Sequence, residues 1–263
     1  MGSRQQQKGE AFRALHERGT FVIANAWDAG SARVLTTLGF PAIASTSSGF
    51  AFGLGRADGS VALHEVAAHA RVLDEATDLP VAMDLENGYG PRPADAALAV
   101  TTASGAGAVG GSIEDFDPVD GLYPLALAAE RVAAAAQAAR ALDVPFVLTA
   151  RAENHIRGNP ALDDTITRMQ AYEEAGADVL FAPGLRTLDE IRAVCEAVAR
   201  PVNVLAPADL TVAQLAGAGV RRISVGGRLA LVAYASLATA ASRIRDEGAF
   251  DQLGVPAAFA DWL

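Results

Sequence analysis

The feature that most limits how this chain can fold is an alternation, repeated eight times, of a short apolar strand with an Ala-rich helix. Strands such as Phe146-Val147-Leu148 are apolar on both faces, as parallel sheets require. The predicted strands are Phe21–Trp27, Ala42–Thr46, Val81–Leu85, Ala108–Glu114, Phe146–Ala150, Val179–Ala182, Val202–Leu205 and Arg222–Val225. The predicted helices are 6–18, ahead of the first strand, then 30–39, 63–77, 93–104, 125–142, 161–175, 187–199, 211–217 and 228–246. Eight such units predict an α/β fold, a closed (β/α)8 barrel of the TIM type.

An open, doubly wound sheet is the alternative fold for this pattern. Its phosphate-binding turn, G-x-G-x-x-G after the first strand, is absent from Asn25-Ala26-Trp27-Asp28-Ala29-Gly30. The 263 residues suit one large barrel, and no linker or low-complexity segment interrupts them. We therefore expect residues 1–263 to form a single barrel domain with a leading N-terminal helix.

The charge of the chain disfavours two classes of partner. The formal net charge is -10 and no Lys/Arg cluster appears, whereas proteins that bind nucleic acids or anionic membranes present basic surfaces. The polar N-terminus shows no apolar h-region, so we expect no secretory signal, and the single cysteine, Cys195, allows no intramolecular disulfide. We expect a cytoplasmic protein that binds a small molecule. If that molecule is an anion, a divalent metal can supply the local cation that an acidic protein needs.

Three carboxylates follow two neighbouring strands at the end of the barrel where active sites lie. Asp84 and Glu86 are two residues apart on one strand and share a face, and Glu114 ends the next strand. Carboxylates brought together repel each other unless protons or a cation intervene. A hard divalent cation, Mg²⁺ or also Mn²⁺, is the simplest solution. The alternative is that each residue caps a helix or pairs with an arginine.

Other polar and small residues reach the same predicted rim. Ser47-Ser48-Gly49 could cradle a carboxylate or phosphate. Gly88 and Gly90 flank Tyr89 and could present N–H groups to an enolate oxygen, or form an ordinary tight turn. Arg151 could grip a substrate carboxylate, or form a salt bridge with Glu114 or Glu153. Trp27 and Asn203 are further candidate substrate contacts.

The remaining candidates receive structural interpretations. We expect His155 to lie in a loop or helix cap, His64 and His69 to be on the surface, and Cys195 to lie in the core of its helix. Gly226-Gly227 follows the last strand, where many barrels bind phosphate, but an entry turn to the last helix is preferred.

These residues, in this order, resemble the isocitrate lyase/phosphoenolpyruvate mutase superfamily, over residues 10 to 245. The motifs that carry the resemblance are Asn25-Ala26-Trp27-Asp28, Ser47-Ser48-Gly49, Asp84-Leu85-Glu86-Asn87-Gly88-Tyr89-Gly90, Gly111-Ser112-Ile113-Glu114-Asp115 and Ala150-Arg151-Ala152-Glu153. The pairing of D-x-[DE]-x-G-Y-G with I-E-D is the most specific of these.

The resemblance implies a chemistry and a set of contacts. Members cleave or form C–C or P–C bonds next to an α-keto acid, with an enolate stabilised by a metal and by backbone donors. It implies Mg²⁺ held largely through water by Asp84, Glu86 and Glu114, with Asp58 as a further outer ligand. Ser48, Gly49 and Arg151 would contact the substrate. It also implies that the eighth helix is swapped between subunits, which gives homodimers or homotetramers.

Two departures from the superfamily pattern limit the resemblance. The lyases carry K-x-C-G-H on a mobile loop after the fourth strand, but residues 116–124 here contain no Cys, Lys or His. The longer loop of the phosphonate-processing members is also missing. Glu86 stands where Asp is commoner, which lengthens the ligand but keeps the carboxylate. Asp117, Asp120, Tyr123 and His155 are the candidates to replace the missing loop acid.

The sequence therefore predicts a Mg²⁺-dependent lyase or decarboxylase that acts on a small α-keto acid or dicarboxylate through an enolate. One alternative is hydrolysis or mutation of phosphonopyruvate at its P–C bond. The other is a protein that binds a metal and a keto acid with little turnover.

Overall fold

The computed structural model describes residues 3–254 and Asp261. Eight parallel strands form a closed barrel, in which the last strand pairs with the first through Arg222 and Phe21. The barrel strands are β1 Phe21–Asn25, β2 Ile43–Ala44, β3 Val81–Asp84, β4 Gly110–Glu114, β7 Val147–Arg151, β8 Val179–Phe181, β9 Val202–Leu205 and β10 Arg222–Ser224. This closure confirms the (β/α)8 barrel and rules out the open sheet.

Ten α-helices are described, and α1 precedes the barrel as predicted. The helices are α1 Arg4–Leu15, α2 Ala29–Thr37, α3 Ser47–Gly53, α4 Leu63–Ala76, α5 Pro93–Gly105, α6 Leu125–Arg140, α7 Leu162–Glu174, α8 Leu188–Ala197, α9 Val212–Gly217 and α10 Arg228–Glu247. A 3₁₀ turn spans Asn154–Ile156, and a small antiparallel hairpin joins β5 Phe116–Asp117 to β6 Gly121–Leu122. Within the described residues, none of the helices has the length and apolar composition needed to cross a membrane.

The predicted elements are all present, with bounds within three residues of the prediction, and the differences that matter for the site lie at the barrel rim. β1 ends at Asn25 rather than Trp27 because Asp28 accepts a hydrogen bond from Ser31 and caps α2. Ser47-Ser48-Gly49, which lies outside all the predicted helices, forms the first turn of the seven-residue helix α3, where Thr46 accepts a hydrogen bond from the Gly49 N–H. Gly227 is the residue immediately before α10, which confirms the entry turn.

One histidine lies where the sequence did not place it. His64 is exposed as predicted, but His69 is only 4% exposed, so the prediction of a surface position is wrong. Its ring stacks on Phe50 of α3 at 3.8 Å between centroids and 4° between planes. Burial lowers the pKa of His69 to about 4, so the ring packs as a neutral aromatic group. The predicted surface face of α4 is covered by α3, a helix that the sequence interpretation did not include. Cys195 is half-buried on α8.

The end of the barrel opposite the rim is closed by α1. Phe12 of α1 is fully buried against a cluster that includes Phe21 and Val147. Gly110 allows this contact, because a Cβ there would lie 2.6 Å from the Phe12 ring. His16 stacks edge-on against both Phe12 and Phe21. The leading helix is therefore part of the fold, and it leaves the rim as the open end.

We predict that Phe12→Ala lowers the free energy of unfolding by about 3–5 kcal/mol, because the cavity left under the barrel cannot collapse onto closed strands. Chemical denaturation with circular dichroism measures the change. Leu38→Ala, which removes a side chain that is 60% exposed, serves as the control and should cost less than about 0.5 kcal/mol. Equal losses of unfolding free energy in the two variants would contradict the role of α1 in closing the barrel.

Candidate active site

A cavity of about 700 Å³ opens at the carboxyl ends of the barrel strands. Asp84 and Arg151 line it from the ends of β3 and β7, and Ser47 and Ser48 line it from the start of α3. The cavity continues downward between the strands and reaches Arg222. Four arginines line it, although the chain carries a net charge of -10: they are Arg151, Arg186, Arg222 and Arg228.

The three carboxylates expected to form one cluster do lie close enough to influence each other. Asp84 accepts hydrogen bonds from the backbone N–H groups of Ser47 at 3.2 Å and Glu86 at 3.3 Å. Burial, together with the negative charges of Asp84 and Asp58, raises the pKa of Glu86 to about 7. Burial also raises the pKa of Glu114 to about 8. The carboxylates are therefore only partly neutralised by the protein.

Arg151 is the main cation within this cluster. Its Nη1 lies 3.2 Å from Glu114 Oε2 and 3.9 Å from Asp84 Oδ1, and its Nε donates to Glu153. Burial lowers the pKa of this guanidinium, but Glu114, Glu153 and Asp84 together raise it above its ordinary value. The salt-bridge alternative is therefore present in the structure. Among the described residues Nη2 has no partner, so one edge of Arg151 remains available to the cavity.

A second, fully buried network holds Glu153 beneath Arg151. The Glu153 N–H donates to Asp115 Oδ1 at 2.7 Å, and Arg168 donates to Asp115 Oδ2 at 2.9 Å. The hydroxyl of Tyr172 also donates to Asp115. These contacts join β4, α7 and the segment after β7, so they set the position of Arg151. The sequence reading used Asp115 only as part of a motif and missed Arg168 and Tyr172.

The Gly88 segment forms the tight turn that was the alternative interpretation. The Gly88 N–H donates to the Leu85 carbonyl at 2.8 Å, and the Tyr89 N–H donates to Asn87 Oδ1 at 3.0 Å. Glu86 and Tyr89 both have positive φ angles, 47° and 63°, which non-glycine residues seldom adopt. The expectation that the Gly88 N–H serves an enolate oxygen is therefore wrong, because that donor is already used.

The hydroxyl of Tyr89, unlike its N–H group, makes no hydrogen bond to a described residue. It is also buried. Burial raises the pKa of Tyr89 and the charges of Glu86, Asp84 and Glu114 raise it further. The phenol is therefore a neutral donor that faces the carboxylate cluster.

The hairpin β5–β6 follows β4, where the lyases of the superfamily carry their catalytic loop. The polar side chain of its Asp117 hydrogen-bonds to neighbouring residues. Asp117 accepts from the N–H groups of Val119 and Asp120, and its other oxygen bonds to Tyr123 and Asn87. None of the four candidates for the missing loop acid is among the residues that line the cavity. Those candidates are Asp117, Asp120, Tyr123 and His155.

The remaining predicted contacts divide into two groups. Asp58 and Asn203 line the cavity. Trp27 and Gly49 do not, and a Cβ on Gly49 would meet Thr46 at 2.6 Å and Trp27 at 3.1 Å. Gly49 is therefore required by the packing of α3. Arg222, which lines the deep end of the cavity, was not identified from the sequence. Arg222 lies at the amino end of its strand, whereas active-site residues were expected at the carboxyl ends.

The cluster fits a hydrated cation better than a chelated one. No three His, Cys, Asp or Glu side chains in the described part of the chain converge closely enough to enclose a metal directly. The donors are nevertheless all carboxylate oxygens, the type that Mg²⁺ prefers, and Mg²⁺ commonly keeps several waters. The side-chain carboxylate of Glu86 accepts no hydrogen bond from a described residue, so it is free to face an ion.

Comparison with known proteins gives one family for this chain. A family model described as phosphoenolpyruvate phosphomutase matches residues 12–245. An oxaloacetate decarboxylase from Rhodopseudomonas palustris (strain BisB5) is 31% identical over 244 residues, which span 88% of this chain and 82% of the relative.

Two solved structures share the fold over nearly the whole chain. One, from Burkholderia cenocepacia J2315 and provisionally described as a lyase/mutase, is 47% identical with a TM-score of 0.96 and covers 99% of this chain and 97% of its own. The other is a phosphonopyruvate hydrolase in complex with oxalate and Mg²⁺. It is 26% identical, has a TM-score of 0.84, and covers 95% of this chain and 92% of its own.

We predict that Glu86→Gln stabilises the metal-free protein at pH 8 but not at pH 4. The folded-state pKa of Glu86, about 7, lies above its ordinary value of 4.5, so the folded protein holds this proton more tightly. Stability from this group is present below pH 4.5 and is lost as the pH rises to about 7. The gain at pH 8 should be at most about 3–4 kcal/mol, at about 1.4 kcal/mol per pKa unit.

Thermal denaturation in EDTA across this pH range measures the effect. The control is Glu130→Gln, which removes an exposed carboxylate of α6 and should show no such dependence. A pH-independent difference between Glu86→Gln and the wild type would contradict the proposed repulsion.

Proposed function

This chain belongs to the phosphoenolpyruvate phosphomutase family of the isocitrate lyase/phosphoenolpyruvate mutase superfamily, and from that premise we propose that it is a Mg²⁺-dependent carbon–carbon lyase. Its substrate is a small α-keto acid, and the bond broken is the one that joins C3 to the departing group. The observation that carries the proposal is the cluster of Asp84, Glu86 and Glu114 around Arg151, of which Asp84 and Arg151 line the open cavity.

The acidic cluster is the proposed cation site. Asp84, Glu86 and Glu114 would hold Mg²⁺ or Mn²⁺, largely through water, with Asp58 at greater distance. When bound, the cation offsets the negative charge that develops on the enolate oxygen. Burial, and after it the neighbouring carboxylates, raise the pKa of Glu86 and Glu114 in the free protein, so cation binding and deprotonation of these groups favour each other.

The substrate carboxylate and the enolate oxygen meet donors of the chain itself. Nη2 of Arg151 is free to bind the carboxylate, and the other guanidinium nitrogens are held by Glu114 and Glu153. Ser48 lines the cavity and is a candidate donor to the substrate. The Gly88 N–H is not, because it is already used in a turn. The neutral Tyr89 hydroxyl lies beside the carboxylates, but Tyr89 is not among the residues that line the cavity.

The fate of the electrons and protons follows from the cavity lining. The electron pair of the broken bond passes to the keto acid as an enolate, and the departing group leaves as a carbonyl compound, either CO₂ or an aldehyde. An aldehyde is released from an alcohol, which gives up its hydroxyl proton to water. Because none of the four loop candidates lines the cavity, the enolate carbon takes its proton from water.

A second candidate function is cleavage of a P–C bond in a phosphonate analogue of the same keto acid. Arg186 and Arg228 line the cavity in addition to Arg151, and a group of arginines suits a phosphonate dianion. Release of inorganic phosphate from phosphonopyruvate would favour this reaction over C–C cleavage.

We predict that Asp84→Ala weakens binding of oxalate in the presence of Mg²⁺ by about 10- to 100-fold, the usual cost of losing one group from a metal site. Isothermal titration calorimetry with and without Mg²⁺ measures it. Asp209→Ala is the matched control, because Asp209 is an exposed carboxylate at the same cavity but outside the cluster. Unchanged oxalate affinity in Asp84→Ala would remove the basis of the proposal.

We also propose that the partner of α10 is a second copy of this chain. Only Ala230 of this 20-residue helix is buried, and Leu231, Val232 and Leu237 are 52%, 62% and 65% exposed. An eighth helix that packed on its own barrel would bury such side chains, and a swapped helix buries them on another subunit. A homodimer or homotetramer satisfies this requirement.

The assembly is tested by Leu237→Glu, which places a charge in the apolar face of α10. Sedimentation velocity should show a multimeric wild type and a lighter variant. Leu38→Glu changes a leucine of similar exposure on another helix end and should keep the wild-type mass. A monomeric wild type would show that α10 is not an interface.

A further inference from the structure

Arg222 is a charged side chain buried inside the barrel, and no acidic residue in the described part of the chain pairs with it. It is 5% exposed, and it donates from Nε to Asn203 Oδ1 at 2.9 Å and from Nη2 to Thr149 Oγ1 at 2.8 Å. Its Nη1 lies 3.3 Å from Nε2 of His16. Burial lowers the pKa of Arg222 to about 9, and no described carboxylate counteracts this effect. A buried cation that faces only neutral groups is costly and is usually paired.

The partners of Arg222 hold the guanidinium still but do not use all of its donors. A guanidinium carries five N–H groups. Three of the nitrogens have one described partner each, which leaves one N–H on Nη1 and one on Nη2 unused. Burial lowers the pKa of His16 to about 3, so this ring is a neutral acceptor and does not repel the guanidinium. Arg222 is therefore preorganised for an additional acceptor.

The space above Arg222 is unusual for a barrel interior. Such interiors are ordinarily filled by layers of Val, Ile and Leu. Here Ala44, Ala82, Ser112 and Ser224 are among the residues that line the cavity together with Arg222. These short side chains leave a shaft that connects the rim to the guanidinium, so an anion can reach it from the substrate side.

The length of the shaft indicates what can span it. Thr149, which contacts Arg222, lies two residues before Arg151 on β7, or about 7 Å at about 3.3 Å per residue. A chain of roughly five or six carbons covers this distance, at about 1.5 Å per C–C bond. A keto acid bound at the rim would therefore reach Arg222 with a terminal group.

We propose that Arg222 is the floor of the substrate site and binds the distal carboxylate of a dicarboxylic α-keto acid. The inference rests on the function proposed above for the rim and identifies the class of substrate. The guanidinium stabilises the charge of this carboxylate, and it therefore opposes the loss of the carboxylate as CO₂. The distal carboxylate is therefore retained on the departing fragment, which leaves as an aldehyde that carries it.

The test compares ligands that differ only at the far end. 2-Oxoglutarate and 2-oxopentanoate have the same five carbons, but only the first has a distal carboxylate, and neither carries the hydroxyl needed for cleavage. Calorimetry in the presence of Mg²⁺ should show the wild type binding the diacid about 10- to 100-fold more tightly, as expected for one charge-assisted contact. Arg222→Gln should remove this preference and leave oxalate binding unchanged.

Asn203→Asp separates recognition from folding, because it places a carboxylate against Arg222 without changing the shape of the side chain. We expect it to keep or raise the melting temperature while it abolishes the preference for the diacid. A merely structural Arg222 would leave that preference intact. Arg221→Gln, at the neighbouring arginine that is exposed and donates to the Gly19 carbonyl, is the control and should behave as wild type.

The outcomes distinguish the floor from the rim. Oxalate binding together with equal affinity for the two five-carbon ligands would overturn the role of Arg222 alone. Absence of oxalate binding in the wild type would overturn the proposed rim chemistry, and the floor assignment with it. A preference for the diacid that survives in Asn203→Asp would also overturn the assignment.

Discussion

The ion pairs of Arg151 are the interaction on which the candidate site depends. Its guanidinium lies between Glu114 and Glu153 and reaches toward Asp84, so it links the carboxyl ends of β3, β4 and β7. Buried ion pairs of this kind contribute little net stability, because desolvation offsets the Coulomb attraction. Groups whose pKa values are strongly shifted are concentrated at functional sites. The cluster is therefore better explained by what it binds than by what it stabilises.

The barrel interior shows the same balance between folding and binding. Small residues such as Ala82 and Ser224 replace the large aliphatic layers of an ordinary barrel, and the resulting space costs packing energy. The compensation lies outside the strands, where α1 closes the lower end with Phe12 and the helices bury a large alanine-rich core. A stable outer layer thus permits an open and charged interior.

The fold was accessible from the sequence because eight repeats of one pattern leave few alternatives. The local exceptions were not accessible. The helix α3 was hidden because Ser47, Ser48 and Gly49 are weak helix formers, and its first turn depends on a cap from Thr46. His69 is buried by its contact with Phe50 of α3. Because α3 was not predicted, His69 was wrongly expected on the surface.

The rim of the site could be predicted, but its floor could not. Asp84, Glu114 and Arg151 lie at the carboxyl ends of predicted strands or directly after them, and a parallel barrel brings these ends together. Arg222 begins a strand, and the residues that hold it, His16, Thr149 and Asn203, are far apart in sequence. No pattern within one segment shows that a charged side chain turns inward. The use of the Gly88 N–H in a turn was likewise visible only in three dimensions.

The central claim, that this cavity stabilises the enolate of a keto acid, is tested most directly by hydrogen exchange at C3 of pyruvate. Protonation of the enolate by water is reversible, so the protein with Mg²⁺ should catalyse exchange of the methyl protons in D₂O. Proton NMR follows the loss of the methyl signal against samples with EDTA and samples without protein. We predict exchange well above both controls, and reduced exchange in Asp84→Ala. A methyl signal that decays no faster than in the protein-free sample with Mg²⁺ would contradict enolate chemistry at this site.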